Sequence, residues 1–271
     1  MPSAFRFAAP LALVAMAAPA SAAGDLLVAP TRVVLDGARG TEVILNNIGT
    51  ETATYRISLE LRRMTPEGKL DEVASPNAAE QTALGMVAFA PRRVTLPPNQ
   101  PQAIRIGVRA PASLPDGEYR VHMLFRGVPE AKRAGTSAPA PERKAGISIA
   151  LTPVYGVTIP VIVRRGALAA TAAIANPRVV REGGREAISF DLSRQGNRSV
   201  YGEVRVLKPG AKEPAVLAKG VAVYHEVGRR NVTLAVRPEF TGTLAGPATI
   251  QYVEPAEDGG RTIAEAQVVL R

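Results

Sequence analysis

The chain has 271 residues, room for about two domains, with no cysteine, no tryptophan, two histidines and a formal net charge of +9. Disulfides and thiol chemistry are therefore excluded, and packing of Val, Ile, Leu and Ala must hold the fold. The cations are scattered among glutamates, without a dense basic block or a set of aromatic residues to stack on bases, which argues against nucleic-acid binding and for ordinary solvation of a surface.

Residues 1–22 read as a signal peptide. Arg6 supplies a basic start, Ala8 to Ala18 an apolar stretch, and Ala20-Ser21-Ala22 a small-residue cleavage site, so the chain is expected to be exported and its mature form to begin near Ala23. The apolar stretch is too short to span a bilayer and no second one follows, so no direct membrane insertion is expected. Next comes Pro30-Thr31-Arg32-Val33-Val34-Leu35-Asp36-Gly37, a strand ending in a turn, with the cation Arg32 set among apolar residues. On the residues alone, Arg32 is either a solvent-facing strand arginine or a buried cation with a ligand to hold.

Period-2 alternation with turn signals between the runs predicts an all-β chain. Thr41 to Leu45 is a strand stopped by Asn46-Asn47. In Ala53 to Arg62, the side chains of Tyr55, Ile57, Leu59 and Leu61 share one face, and those of Arg56, Ser58, Glu60 and Arg62 share the other, which is expected to be wet. Leu96-Pro97-Pro98-Asn99 and Pro115-Asp116-Gly117 are turns. They bracket a strand with Ile104, Ile106 and Val108 inward and precede one with Tyr119, Val121, Met123 and Phe125 inward. From Gly127 to Gly146 the composition turns to Ala, Gly, Ser, Pro and Lys/Arg, a long polar loop.

Ile147-Ser148-Ile149-Ala150-Leu151 then alternates again and leads into Tyr155 to Val163, where Pro153 and Pro160 lack backbone donors and predict a sheet edge. Arg164-Arg165-Gly166 is the expected hinge. Beyond it the strands Ala187–Leu192, Tyr201–Leu207, Val221–Glu226, Asn231–Val236, Ala248–Val253 and Ala264–Leu270 suit a second sandwich, about seven strands in each.

Catalytic patterns are not found. No nucleophile elbow, zinc-protease helix motif or phosphate loop occurs, and the acidic residues are dispersed. His122 and His225 lie in different halves, and without cysteine a zinc site would need both together with carboxylates. Asn197-Arg198-Ser199 and Asn231-Val232-Thr233 match the glycosylation sequon but read as turn and strand residues. No enzyme, metal or cofactor is expected.

Several stretches, in order, carry a resemblance. They are Pro30-Thr31-Arg32, Val43-Ile44-Leu45-Asn46-Asn47-Ile48-Gly49, Tyr55-Arg56-Ile57, Phe89-Ala90-Pro91-Arg92-Arg93-Val94-Thr95-Leu96-Pro97-Pro98-Asn99-Gln100, Ile104-Arg105-Ile106, Leu114-Pro115-Asp116-Gly117-Glu118-Tyr119-Arg120, and Phe125-Arg126-Gly127-Val128-Pro129. Over about residues 25–164 the chain resembles the first domain of the periplasmic pilus-assembly chaperones, the PapD-like family. The remainder is similar only in length and β pattern. The resemblance implies two immunoglobulin-like β-sandwich domains in tandem, at 23–164 and 165–271, after the cleaved signal peptide. It implies pilus-type protein subunits as partners, with an outer-membrane usher as a further partner that no residue of this chain specifies. Its mechanism is donor-strand complementation: the chaperone's G strand completes a subunit that lacks its last strand. Here Ile147, Ile149 and Leu151 match the inserted apolar residues, and Arg32 matches the cleft arginine that anchors the subunit's terminal carboxylate. The family's partner lysine has no counterpart in Val154 to Thr158, which leaves Arg164 or Arg165 as substitutes. The alternative to a chaperone is a structural or surface-assembly sandwich that associates through the same edge.

Overall fold

The computed structural model describes residues 25–36, 39–129 and 154–271. In chain order the first sandwich contains β1 (Leu26–Ala29), β2 (Val33–Leu35), β3 (Thr41–Asn47), β4 (Ala53–Glu60), β5 (Arg62–Met64), β6 (Leu70–Glu72), helix α1 (Ala78–Met86), β7 (Val87–Ala90), β8 (Arg93–Leu96), β9 (Pro101–Val108), β10 (Gly117–Val128) and β11 (Gly156–Arg165). Two sheets, β1-β3-β9-β7 and β2-β11-β10-β4-β8, face each other across one apolar core, and β5-β6 form a separate hairpin. The second sandwich contains β12 (Ala170–Glu182), β13 (Arg185–Gly196), β14 (Val200–Leu207), β15 (Val216–Val223), β16 (Arg229–Ala235), β17 (Gly246–Val253) and β18 (Thr262–Leu270). Its sheets, β12-β13-β16 and β15-β14-β17-β18, enclose a core of their own. No helix among the described residues is long and apolar enough to cross a membrane.

The alternation read from sequence places the cores. On β10, Val121, Met123 and Phe125 are fully buried, each contributing roughly 1.5–3 kcal/mol by leaving water. Val43 and Leu45 of β3, with Ile104 and Ile106 of β9, close the core from the facing sheet. Asn47 ends β3 for a physical reason. Its buried amide nitrogen donates to Glu51 O at 2.7 Å and Leu96 O at 2.9 Å, while its side-chain oxygen accepts from Gly49 N at 3.0 Å. A short polar side chain that binds nearby backbone groups turns the chain out of the ladder.

Two elements differ from the pattern predicted. Alternation gives no sign of helix α1. Its start is marked by a capping box, in which Glu80 N donates to Asn77 Oδ1 and Asn77 N donates to Glu80 Oε2, and it buries only Ala83 and Met86. So narrow an apolar stripe gives little helical periodicity, and the cap is the one legible signal. Strand β12 is equally hidden: it is thirteen residues long but has no fully buried side chain. Gly166 follows β11 with φ +76°, and a Cβ there would lie 2.0 Å from the Asp116 carboxyl carbon, so only glycine makes this connection without strain.

Candidate functional site

Strand β11 joins the edge and the cleft. On one side it pairs antiparallel with β10 along its full length, from Arg126↔Gly156 to Gly117↔Arg165. On the other it pairs parallel with β2 only at Val33↔Val161, Val34↔Ile162 and Leu35↔Val163. Gly156 to Pro160 therefore has no strand on its outer side among the described residues. Pro160, opposite His122, stands just before the β2 pairing begins, where a missing backbone donor costs no ladder bond on that side. Ile147, Ile149 and Leu151, the expected donor residues, lie outside the described residues.

The outer face of the same sheet packs on the second sandwich. Wet-face residues of an isolated domain, Glu118, Arg120 and His122 on β10, are buried here, and Ile162 of β11 meets Met64, Ala222 and Tyr224 in a small apolar cluster. The expectation of a wet face from Arg56 to Arg62 thus holds for exposed Arg56 but fails toward Glu60 and Arg62, which are half-buried near this contact. Arg120 stacks on Tyr224 at 3.6 Å, grips both Glu226 oxygens and donates to Arg62 O at 2.9 Å. Met64 N donates to Glu226 at 2.8 Å, and Asn231 N donates to Pro66 O at 2.8 Å. Glu118 accepts from Arg164 Nε at 3.0 Å and from Ser199 N at 3.2 Å, with His225 Nδ1 at 3.7 Å. Burial pushes the Glu118 carboxyl up, but His225, Ser199 and Arg164 together outweigh it and hold it down to about 2. His122 is driven down to about 3 by burial and then by the Arg120 charge, so it stays neutral, edge-on to Tyr224. Among the described residues no group of three or more His, Cys, Asp and Glu is placed to hold a metal ion.

Arg32 lies one residue before β2, and its guanidinium crosses to the second sandwich. It stacks on Tyr201 at 4.4 Å and meets Asp258 Oδ2 at 3.6 Å. Burial, and then the charge of Arg164, lower its pKa, an arrangement that favours an anion nearby. The surrounding cavity, about 230 Å³, is lined by Arg32, Arg164, Arg198 and Arg261 against Glu254 and Asp258. Of the two arginines expected as secondary anchors, Arg164 lines this cavity. Arg165, next along the alternating strand, turns to the other face and donates to Pro111 O at 3.0 Å and Ala112 O at 2.9 Å. Nothing in the sequence singles out Tyr201, Arg198 or Asp258. Each is an ordinary turn or strand residue until the second sandwich is set against the first.

No protein-family profile matches the chain, and no curated protein matches it. Among solved structures, the chain is similar to the YadV chaperone at 15% identity, over 90% of this chain and 100% of that one, with a TM-score of 0.48. It is similar to the Pseudomonas aeruginosa CupB2 chaperone at 12% identity, over 90% and 100%, with a TM-score of 0.46. A third similar structure is the Salmonella enterica SafA pilin in complex with the SafB chaperone, at 18% identity, over 91% and 96%, with a TM-score of 0.45.

Proposed function

We propose that this protein is a periplasmic chaperone that holds exported β-sandwich subunits lacking a strand, by lending them the edge that runs from Ile147 into β11. The observation that carries the proposal is the outer side of Gly156 to Pro160, which has no paired strand among the described residues and ends where β2 begins and Arg32 stands. An extended partner segment can pair with such an edge through its main chain, while alternating side chains set register. Ile147, Ile149 and Leu151 are the residues proposed to fill the partner's apolar groove, at roughly 1.5–3 kcal/mol for each large aliphatic fully buried. Arg32, with Arg164 behind it, is proposed to bind the partner's terminal carboxylate, since a guanidinium fork matches two carboxylate oxygens. The reading assigns no catalysis and no cofactor to the chain.

Native mass spectrometry of the protein isolated from its own periplasm tests this. A stoichiometric partner is expected on the wild type and is expected to be lost from Arg32→Ala and Ile149→Asp, both still folded. A lone monomer, or a ladder of self-assemblies, would instead support a structural protein that associates through the same edge.

A further inference from the structure

Asp258 closes the turn between β17 and β18 and aims a carboxylate at the arginine assigned above to a partner's carboxylate. The turn fixes it there. Asp258 N donates to Pro255 O at 2.9 Å, Gly260 N to Pro255 O at 3.0 Å and Gly259 N to Ala256 O at 3.2 Å. Gly259 and Gly260 take φ of 110° and 64°, and Arg261 clamps Glu254 with two bonds of 2.9 and 3.1 Å at the base of the turn.

The contact it makes is incomplete. At 3.6 Å, Arg32 and Asp258 form an ion pair without a hydrogen bond, whereas charge-assisted bonds close to about 2.7–2.9 Å. The Asp258 side chain is half exposed, while that of Arg32 is 12% exposed, and Arg32 Nε is buried with no hydrogen-bond partner among the described residues. The neighbouring cations differ in what they have left to give. Arg164 is engaged by Glu118 and Arg261 by Glu254, while the Arg198 guanidinium makes no hydrogen bond or ion pair among the described residues. The cavity thus brings together a buried guanidinium with an unused donor, a cation without a partner among the described residues, and a half-exposed internal carboxylate held only at ion-pair distance.

We propose that Asp258 sets the affinity of this pocket: it occupies Arg32 until a partner's chain-terminal carboxylate displaces it and takes up Arg32 and Arg198 together. The proposal rests on the chaperone reading for the identity of the incoming group.

Titration calorimetry of the full chain tests it with two probes, an N-acetylated peptide of alternating Val and Thr ending in a free carboxylate, and its C-terminal amide. Wild type should prefer the acid. Asp258→Asn and Asp258→Ala should bind the acid about three- to fivefold tighter, as expected for loss of a half-exposed ion pair, with the amide unchanged. Arg198→Ala should bind the acid more weakly, and Arg32→Ala should abolish the preference in either background. If wild type prefers the acid through Arg32 but neither Asp258 variant gains, the role of Asp258 is overturned while the chaperone reading stands. If neither the wild type nor any variant distinguishes acid from amide, the pocket binds no carboxylate and the proposal falls together with the anchoring role of Arg32, while strand lending stands or falls by Ile149→Asp.

Discussion

The two halves of β11 have the same neighbour on one side and opposite fates on the other. Val161 to Arg164 is paired on both edges or held by Glu118, and its outward Ile162 is sealed by Tyr224 and Ala222 of the second sandwich. Among the described residues, Gly156 to Pro160 pairs with β10 alone. One end is an anchor, and the other is the edge proposed to pair with a partner. An unpaired edge is ordinarily an aggregation hazard, and here it follows in sequence the alternating residues proposed to enter a partner. The anchored half keeps the open half in register with Arg32, because β2 joins the sheet just where the open edge stops.

Breaking the anchor should give the largest effect. Glu226→Ala leaves Arg120, whose side chain is 4% exposed, without its carboxylate, and loss of one partner of a buried pair costs about 3–5 kcal/mol. Urea unfolding should show that loss, and scattering should show the two sandwiches no longer fixed to one another. A native-like midpoint would mean that the apolar cluster around Ile162 alone holds the interface.

Acid sharpens the same comparison with a smaller effect. Glu118 has a folded pKa of about 2, below its usual 4.5, and His122 one of about 3, below 6.5. Both are lowered on folding, so the unfolded chain binds more protons, and their stabilisation is full above the unfolded values and lost as pH falls. Stability should decline from about pH 6.5 as His122 becomes protonated in the unfolded chain, and more steeply below about 4.5 as Glu118 joins it, by a few kcal/mol in total. In Arg164→Ala the lower of the two declines should shrink, since Glu118 loses an ion partner. A pH profile unchanged in that variant would sink the assignment.

The smallest effect separates adjacent residues of one strand. Arg165→Ala removes two bonds to the carbonyls of Pro111 and Ala112 on a partly exposed side chain, and should cost under about 1 kcal/mol with partner capture unaffected. Capture lost in Arg165→Ala but kept in Arg164→Ala would reverse their assignment.

Alternation in the sequence determined which side chains share a face. Val121, Met123 and Phe125 went to the core, and five of the six strands expected in the second half formed where they were read, because burial of one face of a pleated strand needs only period two. The strand expected over Val221–Glu226 instead runs Val216–Val223 and stops at the turn in which Val227 N donates to Tyr224 O at 3.1 Å. The end of β3 was equally local, written in Asn46-Asn47. What covers the opposite face was decided only by tertiary structure. Glu118, Arg120 and His122 have the spacing of a solvated face, and nothing near them in the chain announces Ser199, Tyr224 or Glu226. The strand motif put a cation at Arg32, and its pairing with Tyr201 and Asp258 waited on the packing of the second sandwich. Local pattern fixes where a side chain points along its own strand, while the partner it meets depends on residues far away in sequence and on how two sheets dock.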